Sequence, residues 1–291
     1  MATNKDIIER LNCIEQNVST GQLDVYSRDV SQLIGITGDE DFNDGQVWQS
    51  AFKNWVYEPD IPSSVSGVAP PIIASGVTVN GSFHADTASG VFEHFIDYQN
   101  GRVVFLSPIS TSSTVQAEFG YKEVTVDFAD KFDNERLDLL TETAFKDNPQ
   151  QADVQQYPKK ENRTLPAVWI ELLSRENSGY ELGSSAAVSD FLGMFHVWAR
   201  DTYMRDIIED ILNDAHREII LGINFNTAPF ALLSKGRKNA AWPGYSVLAD
   251  VHSPHFWRRI YMDDIKSEKV DSLFEVERTM FRFQIRTYPN F

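Results

Sequence analysis

The sequence of residues 95–122, FIDYQNGRVVFLSPISTSSTVQAEFGYK, decides the fold that we predict. Asn100 and Gly101 separate two apolar runs, and Asn-Gly is the pair that best adopts the positive φ angles of a type I′ turn. With these two residues at the centre of the turn, Tyr98 faces Val103. This register places two apolar sets on opposite faces, both expected to be covered: Ile96, Tyr98, Val103 and Phe105, and then Phe95, Val104 and Leu106. The stretch therefore predicts a β-hairpin that continues into a longer strand.

The neighbouring residues extend this β pattern. Asn80-Gly81 predicts a second tight hairpin. Apolar residues alternate from Val115 to Tyr121, and the alternation changes phase near Lys122 and Glu123, which predicts a β-bulge or a bend. Roughly five strands fit between residues 76 and 128, enough for a small antiparallel β-sandwich or barrel.

The C-terminal part of the chain predicts a sheet with a helix on it. Apolar runs predict strands at 165–174, 189–199, 245–252, 257–265 and 277–287. In the last run, Phe281, Phe283 and Ile285 alternate with Arg282, Gln284 and Arg286, the pattern of a half-buried strand. Residues 203–220 carry isoleucines at helical spacing, with acidic residues on the other side. We therefore predict the α+β fold class, with a long amphipathic helix packed on an antiparallel sheet.

Breaker-rich and polar stretches divide the chain into four expected segments. Residues 1–66 hold an N-terminal amphipathic helix and an aromatic-rich connector, and residues 67–145 hold the β-sandwich module with a trailing helix at 132–145. Residues 146–163 form a polar linker. Residues 164–291 form the α+β domain.

Composition and charge exclude several classes of function. The 291 residues include 26 Lys and Arg against 42 Asp and Glu, for a formal net charge of -16. This sign argues against general nucleic-acid binding through phosphate contacts, but it suits a wall past which DNA slides without sticking. The single cysteine, Cys13, excludes an internal disulfide and a Cys-rich zinc site. Without a signal-peptide core or a long apolar run, we expect a soluble, non-secreted chain with no membrane partner.

Two clusters invite a metal interpretation, and neither meets the requirements of a known site. The acidic loop GDEDFNDG, residues 38–45, has Asp44 at the position where a calcium loop needs Gly, and Ser50 where it needs a bidentate Glu. In the motif DVHSPH, residues 250–255, Asp250, His252 and His255 lack an obvious further ligand. We predict no metal at either cluster and leave both open to test.

No pattern of reactive residues predicts catalysis. The chain has no Gly-x-Ser-x-Gly elbow, phosphate-binding loop or dinucleotide fingerprint, so we expect no catalytic residue, no cofactor and no enzymatic activity. Lys235, Arg237 and Lys238 form one basic patch, which is either a partner contact or a solvated loop. Apolar and aromatic residues instead suggest interfaces, with the filling of two cores as the alternative. The candidate interface residues are Ile7, Ile8, Leu11, Trp48, Trp55, Trp242, Phe256 and Trp257.

Two long stretches resemble virion structural proteins of tailed bacteriophages. Residues 75–130 resemble a β-module of such proteins, with cyanophage and other myovirus-like phages nearest in character. Residues 165–221 resemble the layout of small neck and tail-completion proteins. The resemblance implies a non-enzymatic neck or head–tail connector component that forms a homo-oligomeric ring, a hexamer or dodecamer, around the DNA channel. It implies contacts with neighbouring portal, adaptor and tail proteins, passage of DNA without sequence-specific binding, and a place in the virion after assembly in the host cytoplasm.

Two other classes of function stay open from the sequence. A tail-fibre, baseplate or carbohydrate-binding β-module would present aromatic residues such as Trp242 or Trp257 to sugars. An enzyme would need carboxylates, for example Asp263 and Asp264, that converge in three dimensions.

Overall fold

The fold is described by a computed structural model of the chain. It describes residues 14, 18, 23, 26–58, 72–128, 165–179, 187–214, 219–224, 226–233, 237–270 and 277–287. The predicted trailing helix at 132–145 and the linker at 146–163 lie outside these residues. Within the predicted N-terminal helix, the structure describes only Ile14, which is helical and buried.

The first half of the chain forms a seven-stranded antiparallel sheet. Its spatial order is β4-β3-β7-β1-β2-β6-β5. The strands are β1 (Tyr26–Gly35), β2 (Val47–Gln49), β3 (Gly76–Val79), β4 (Ser82–Ala85), β5 (His94–Asp97), β6 (Arg102–Phe105) and β7 (Val115–Lys122). A short 3-10 helix, Gly90–Phe92, precedes β5. The sheet curls around a core of aliphatic and aromatic side chains in which the Trp55 ring stacks on Phe119 at 3.9 Å.

The second half forms a six-stranded sheet with a helix on one face. Its order is β11-β12-β13-β10-β9-β8, antiparallel except for the parallel pair β8–β9. The strands are β8 (Thr125–Phe128), β9 (Ala167–Gly179), β10 (Ala187–Ala199), β11 (Ile219–Ile223), β12 (Phe256–Val270) and β13 (Glu277–Thr287). Helix α1 (Thr202–Asp214) buries Ile208 and Leu212 in the core that this face shares with Phe195 and Phe283. A single turn of helix, α2 (Tyr245–Leu248), also contributes to this core.

The predicted α+β fold class is wrong, because the described chain is mostly β. The long helix expected over 203–220 ends at Asp214, and Ile219 and Ile220 instead begin β11. Residues 245–248, expected in a strand, form the helical turn α2. Isoleucine is β-branched and packs well in strands. Pairing at the edge of the six-stranded sheet therefore decides the conformation of Ile219 and Ile220, although their spacing also fits a helix.

The hairpin between β5 and β6 confirms the predicted faces but corrects the predicted register. Ile96, rather than Tyr98, lies opposite Val103, so the register is displaced by two residues. Of the two central residues only Gly101 has a positive φ, and the connection is a four-residue turn in which Asp97 Oδ1 accepts the Asn100 backbone N–H at 3.2 Å. A shift of two residues keeps each side chain on its face, because the period of a strand is two. Ile96, Tyr98, Val103 and Phe105 therefore share one core, and Phe95 and Val104 share another. Leu106 was predicted to be covered with the second set, but it lies past the end of β6 and is 51% exposed.

The change of phase near Lys122 marks a transfer of the chain between the two sheets. β7 pairs with β1 up to Lys122 without a register shift, and β8 begins at Thr125 in the other sheet. Glu123 and Val124 form a bend, so of the two predicted alternatives, a β-bulge or a bend, the bend is confirmed. The sandwich or barrel expected over 76–128 is divided between the two sheets. Asn54 Nδ2 donates to Thr125 Oγ1 at 2.8 Å across this junction.

Candidate functional site

The acidic loop at 38–45 uses its carboxylates to hold its own backbone. Asp39 Oδ1 accepts the backbone N–H of Asp41, and Asp44 Oδ1 accepts that of Gly38, both at 2.9 Å. The other oxygen of Asp39 lies 3.1 Å from Arg102 Nη1. An arginine in this position competes with a metal ion for the carboxylate. The loop thus serves as a structural cap over β6.

Arg102 lies at the centre of a buried ionic cluster that sequence reasoning missed. Its Nε and Nη2 atoms lie 3.0 and 2.9 Å from Asp97 Oδ2, and both side chains are at most 3% exposed. The two residues face each other directly across the hairpin. A guanidinium presents its donors in a rigid fork that suits a carboxylate. The predicted register, in which Tyr98 faces Val103, concealed this pair because it sets Asp97 opposite Val104.

The motif DVHSPH borders an open cavity of about 630 Å³. Its lining residues are Pro243, Ser246, Val247, Leu248, Asp250, His252, Ser253, Pro254 and His255. Asp250 Oδ1 accepts the backbone N–H of His252 at 2.7 Å, and His255 Nδ1 lies 3.1 Å from Thr227 Oγ1. Within the described ranges, no group of three His, Cys, Asp or Glu could hold a metal ion.

His196 takes part in a second buried polar cluster on the six-stranded sheet. Its Nε2 lies 2.8 Å from Glu171 Oε2, and its Nδ1 lies 3.3 Å from Arg278 Nη2. The Arg278 guanidinium also lies 4.5 Å from the ring of Trp198. These contacts join three adjacent strands, β9, β10 and β13. His196 is buried and Glu171 and Arg278 are half-buried, and the contacts among the three side chains tie the strands together.

His94 provides a pH-dependent contribution to stability. It is buried in β5, its Nδ1 lies 2.8 Å from Phe92 O, and its Nε2 has no hydrogen-bond partner among the described residues. Burial lowers the pKa of His94, with the Phe92 carbonyl opposing the shift. The folded state therefore disfavours the imidazolium that the unfolded chain forms below its ordinary pKa of about 6.5.

We expect the stabilising effect of neutral His94 to be present above about pH 6.5 and to be lost as the pH falls below it. The free energy of unfolding measured in urea at about pH 7.5 and about pH 5 tests this. Wild type should lose more stability between the two values than His94→Phe does. An equal loss in both proteins would show that other groups set the acid sensitivity.

The structure places most of the predicted interface residues away from the surface or outside the described residues. Trp48, Trp55 and Trp242 are 3%, 1% and 4% exposed, so they pack inside this chain and leave little area for a partner or a sugar. Phe256 is half-buried at the start of β12. Ile7, Ile8 and Leu11 lie outside the described residues, and so does the side chain of Trp257. The basic patch is described at Arg237, whose guanidinium lies 5.3 Å from the Phe95 ring, and at Lys238.

Charged side chains lie on both sides of the six-stranded sheet. On the side away from α1, β13 presents Arg278, Arg282 and Arg286. On the other side, α1 presents Asp206, Asp210 and Asp214. None of the described helices is long and apolar enough to cross a membrane.

No protein-family model matches the chain, and no curated protein matches it.

Proposed function

We propose that the protein is a non-enzymatic structural component of a tailed-phage virion, placed in the neck or head–tail connector. One observation supports the proposal beyond the resemblance. The charged side chains of the two described clusters contact one another and hold strands of the same chain together. Asp97, Arg102 and Asp39 hold one sheet, and Glu171, His196 and Arg278 hold the other. A catalytic carboxylate or imidazole needs a face turned toward a substrate, whereas these groups are turned toward one another.

The charge of the chain supports a position beside DNA without tight binding to it. A net charge of -16 repels phosphates, so a ring built of such subunits lets DNA pass with little adhesion. The proposed ring is a hexamer or dodecamer, with portal, adaptor and tail proteins as its neighbours.

The test is the mass and shape of the assembled protein. Mass photometry of the purified protein should give species of six or twelve times the 33.0 kDa chain, and negative-stain electron microscopy should show rings. Reconstruction of a particle that contains the protein should place it at the junction of head and tail. A monomer in solution, together with particles that lack such a ring, would contradict the proposal.

A further inference from the structure

The two Asn-Gly pairs of the sequence lie in opposite environments. In such a pair the backbone nitrogen of glycine can attack the side-chain amide carbon of asparagine, because glycine has no Cβ to hinder the approach. Asn80 and Gly81 are both exposed at the tip of the β3–β4 turn, and no described atom lies within 4 Å of a Cβ added at Gly81. Asn100 is half-buried, and Gly101 is buried against the backbone of Phe52. The same dipeptide therefore differs in its access to water.

The side-chain carbonyl of Asn80 accepts a hydrogen bond that favours this attack. The backbone N–H of Thr114 donates to Asn80 Oδ1 at 2.9 Å, and the backbone N–H of Asn80 donates to Thr114 O at 2.8 Å. A donor aimed at a carbonyl oxygen stabilises the negative charge that this oxygen gains when a nucleophile adds to its carbon. The amide carbon of Asn80 is thus polarised at a site that water reaches.

The side chain of Asn100 is held by a carboxylate instead. Its Nδ2 donates to Oδ1 and Oδ2 of Asp97 at 3.1 and 2.8 Å, and its backbone N–H donates to Oδ1 at 3.2 Å. The neighbouring carboxylate opposes the growth of negative charge on the Asn100 amide and holds the nitrogen that would have to leave. The carbonyl of Gly101 accepts the Ser50 N–H at 3.0 Å, which fixes the backbone of the pair as well.

We propose that Asn80 is a site of spontaneous deamidation in the folded protein and that Asn100 is protected from it. The Gly81 nitrogen forms a bond to Asn80 Cγ and gives its proton to water. The Cγ–Nδ2 bond breaks, and Nδ2 takes up a proton and leaves as ammonia. Water then opens the resulting succinimide: attack at Cγ gives aspartate, and attack at the backbone carbonyl carbon gives isoaspartate. Water is the only co-reactant, and nothing is oxidised or reduced.

The product changes the turn at the edge of the seven-stranded sheet. Deamidation adds a negative charge beside Thr114, and isoaspartate also adds one carbon to the main chain between β3 and β4. β4 lies at the edge of its sheet and pairs with β3 through this two-residue turn. A longer main chain no longer matches the geometry of that turn. We therefore expect faster hydrogen exchange at the backbone amides of β4 in the modified protein.

The experiment follows both pairs in the same protein by peptide mapping and mass spectrometry. The full-length protein is incubated at mildly alkaline pH, which promotes loss of the glycine N–H proton, and samples are digested at acidic pH. Asn80 should convert at least about tenfold faster than Asn100, a difference of roughly 1.4 kcal/mol in the barrier. In concentrated urea, where both pairs lose their tertiary contacts, the two rates should become similar.

Two variants assign the reaction to this turn. Gly81→Ala should slow the conversion of Asn80 by about tenfold or more, because the added Cβ hinders the attacking nitrogen. Asn80→Asp should run from the start with the acidic form that wild type develops on isoelectric focusing. Equal conversion of Asn80 and Asn100 in the folded protein would show that their environments do not discriminate between them. Conversion of Asn80 in urea alone would show that the folded turn protects it. Either result would overturn the proposal.

Discussion

Gly101→Ala is expected to lower the free energy of unfolding by about 3 kcal/mol or more. Gly101 has a φ of +63°, which L residues rarely adopt. A Cβ built at this position would lie 1.9 Å from Phe52 O, a backbone atom that also accepts the Trp55 indole N–H at 3.0 Å. Relief of that overlap has to move the backbone around the buried Trp55. Urea unfolding followed by tryptophan fluorescence measures the loss.

Gly81→Ala separates the two causes. Gly81 also has a positive φ, +85°, but nothing lies within 4 Å of a Cβ added there. Only the backbone conformation then opposes the substitution, and we expect a loss of about 1–2 kcal/mol. Equal losses in the two variants would mean that the close approach to Phe52 is relieved without cost.

Arg102→Met is expected to cost about 3–5 kcal/mol, because it leaves the Asp97 carboxylate buried without its counter-charge. Asp97 is 1% exposed, and among the described residues it keeps only the contacts from Asn100 after the substitution. Methionine fills much of the same volume, so the loss reports the charge more than a cavity. Chemical denaturation at neutral pH measures it.

Arg286→Met is the matched control on an exposed pair. Arg286 Nε lies 2.7 Å from Asp190 Oδ1, but the two side chains are 45% and 23% exposed. Water solvates both charges, so we expect a loss of under about 1 kcal/mol. A loss at Arg102 as small as this would show that water reaches Asp97 in the folded protein.

The two Asn-Gly pairs show how far turn chemistry predicts a hairpin. Asn80 and Gly81 both have positive φ, and Val79 pairs with Ser82, so the predicted two-residue turn is confirmed. At Asn100 the same dipeptide forms a longer turn. The difference is due to Asp97, whose carboxylate binds both Asn100 and Arg102. These contacts favour the longer turn, and the Asn-Gly dipeptide alone does not predict them.

Periodicity predicted strand faces well and predicted the partners of short segments poorly. Along β13, Phe281, Phe283 and Ile285 are buried and Arg282 and Arg286 are exposed, which confirms the predicted alternation. Ile219 follows the spacing of α1 but lies in an edge strand, because the helical spacing of a few isoleucines also fits the one face of a β-strand. Pairing with β12 makes this segment a strand. Such pairing joins segments far apart in the sequence, so the local pattern does not predict it.

The candidate surfaces could be predicted only in part. Aromatic content alone does not separate an interface from a core, and Trp48, Trp55 and Trp242 belong to the latter. The arginine pattern of β13 was visible in the sequence. The surroundings of these arginines were not, because Asp190 and Leu192 come from β10 and Asp263 comes from β12.

Only Glu123 and Val124 separate β7 in one sheet from β8 in the other. Two residues span at most roughly 7 Å, so this short connection leaves one sheet little freedom to move relative to the other. The Asn54–Thr125 hydrogen bond and the Lys122–Glu58 ion pair at 2.6 Å brace the same junction. A displacement of one sheet is therefore passed on to the other sheet through this junction.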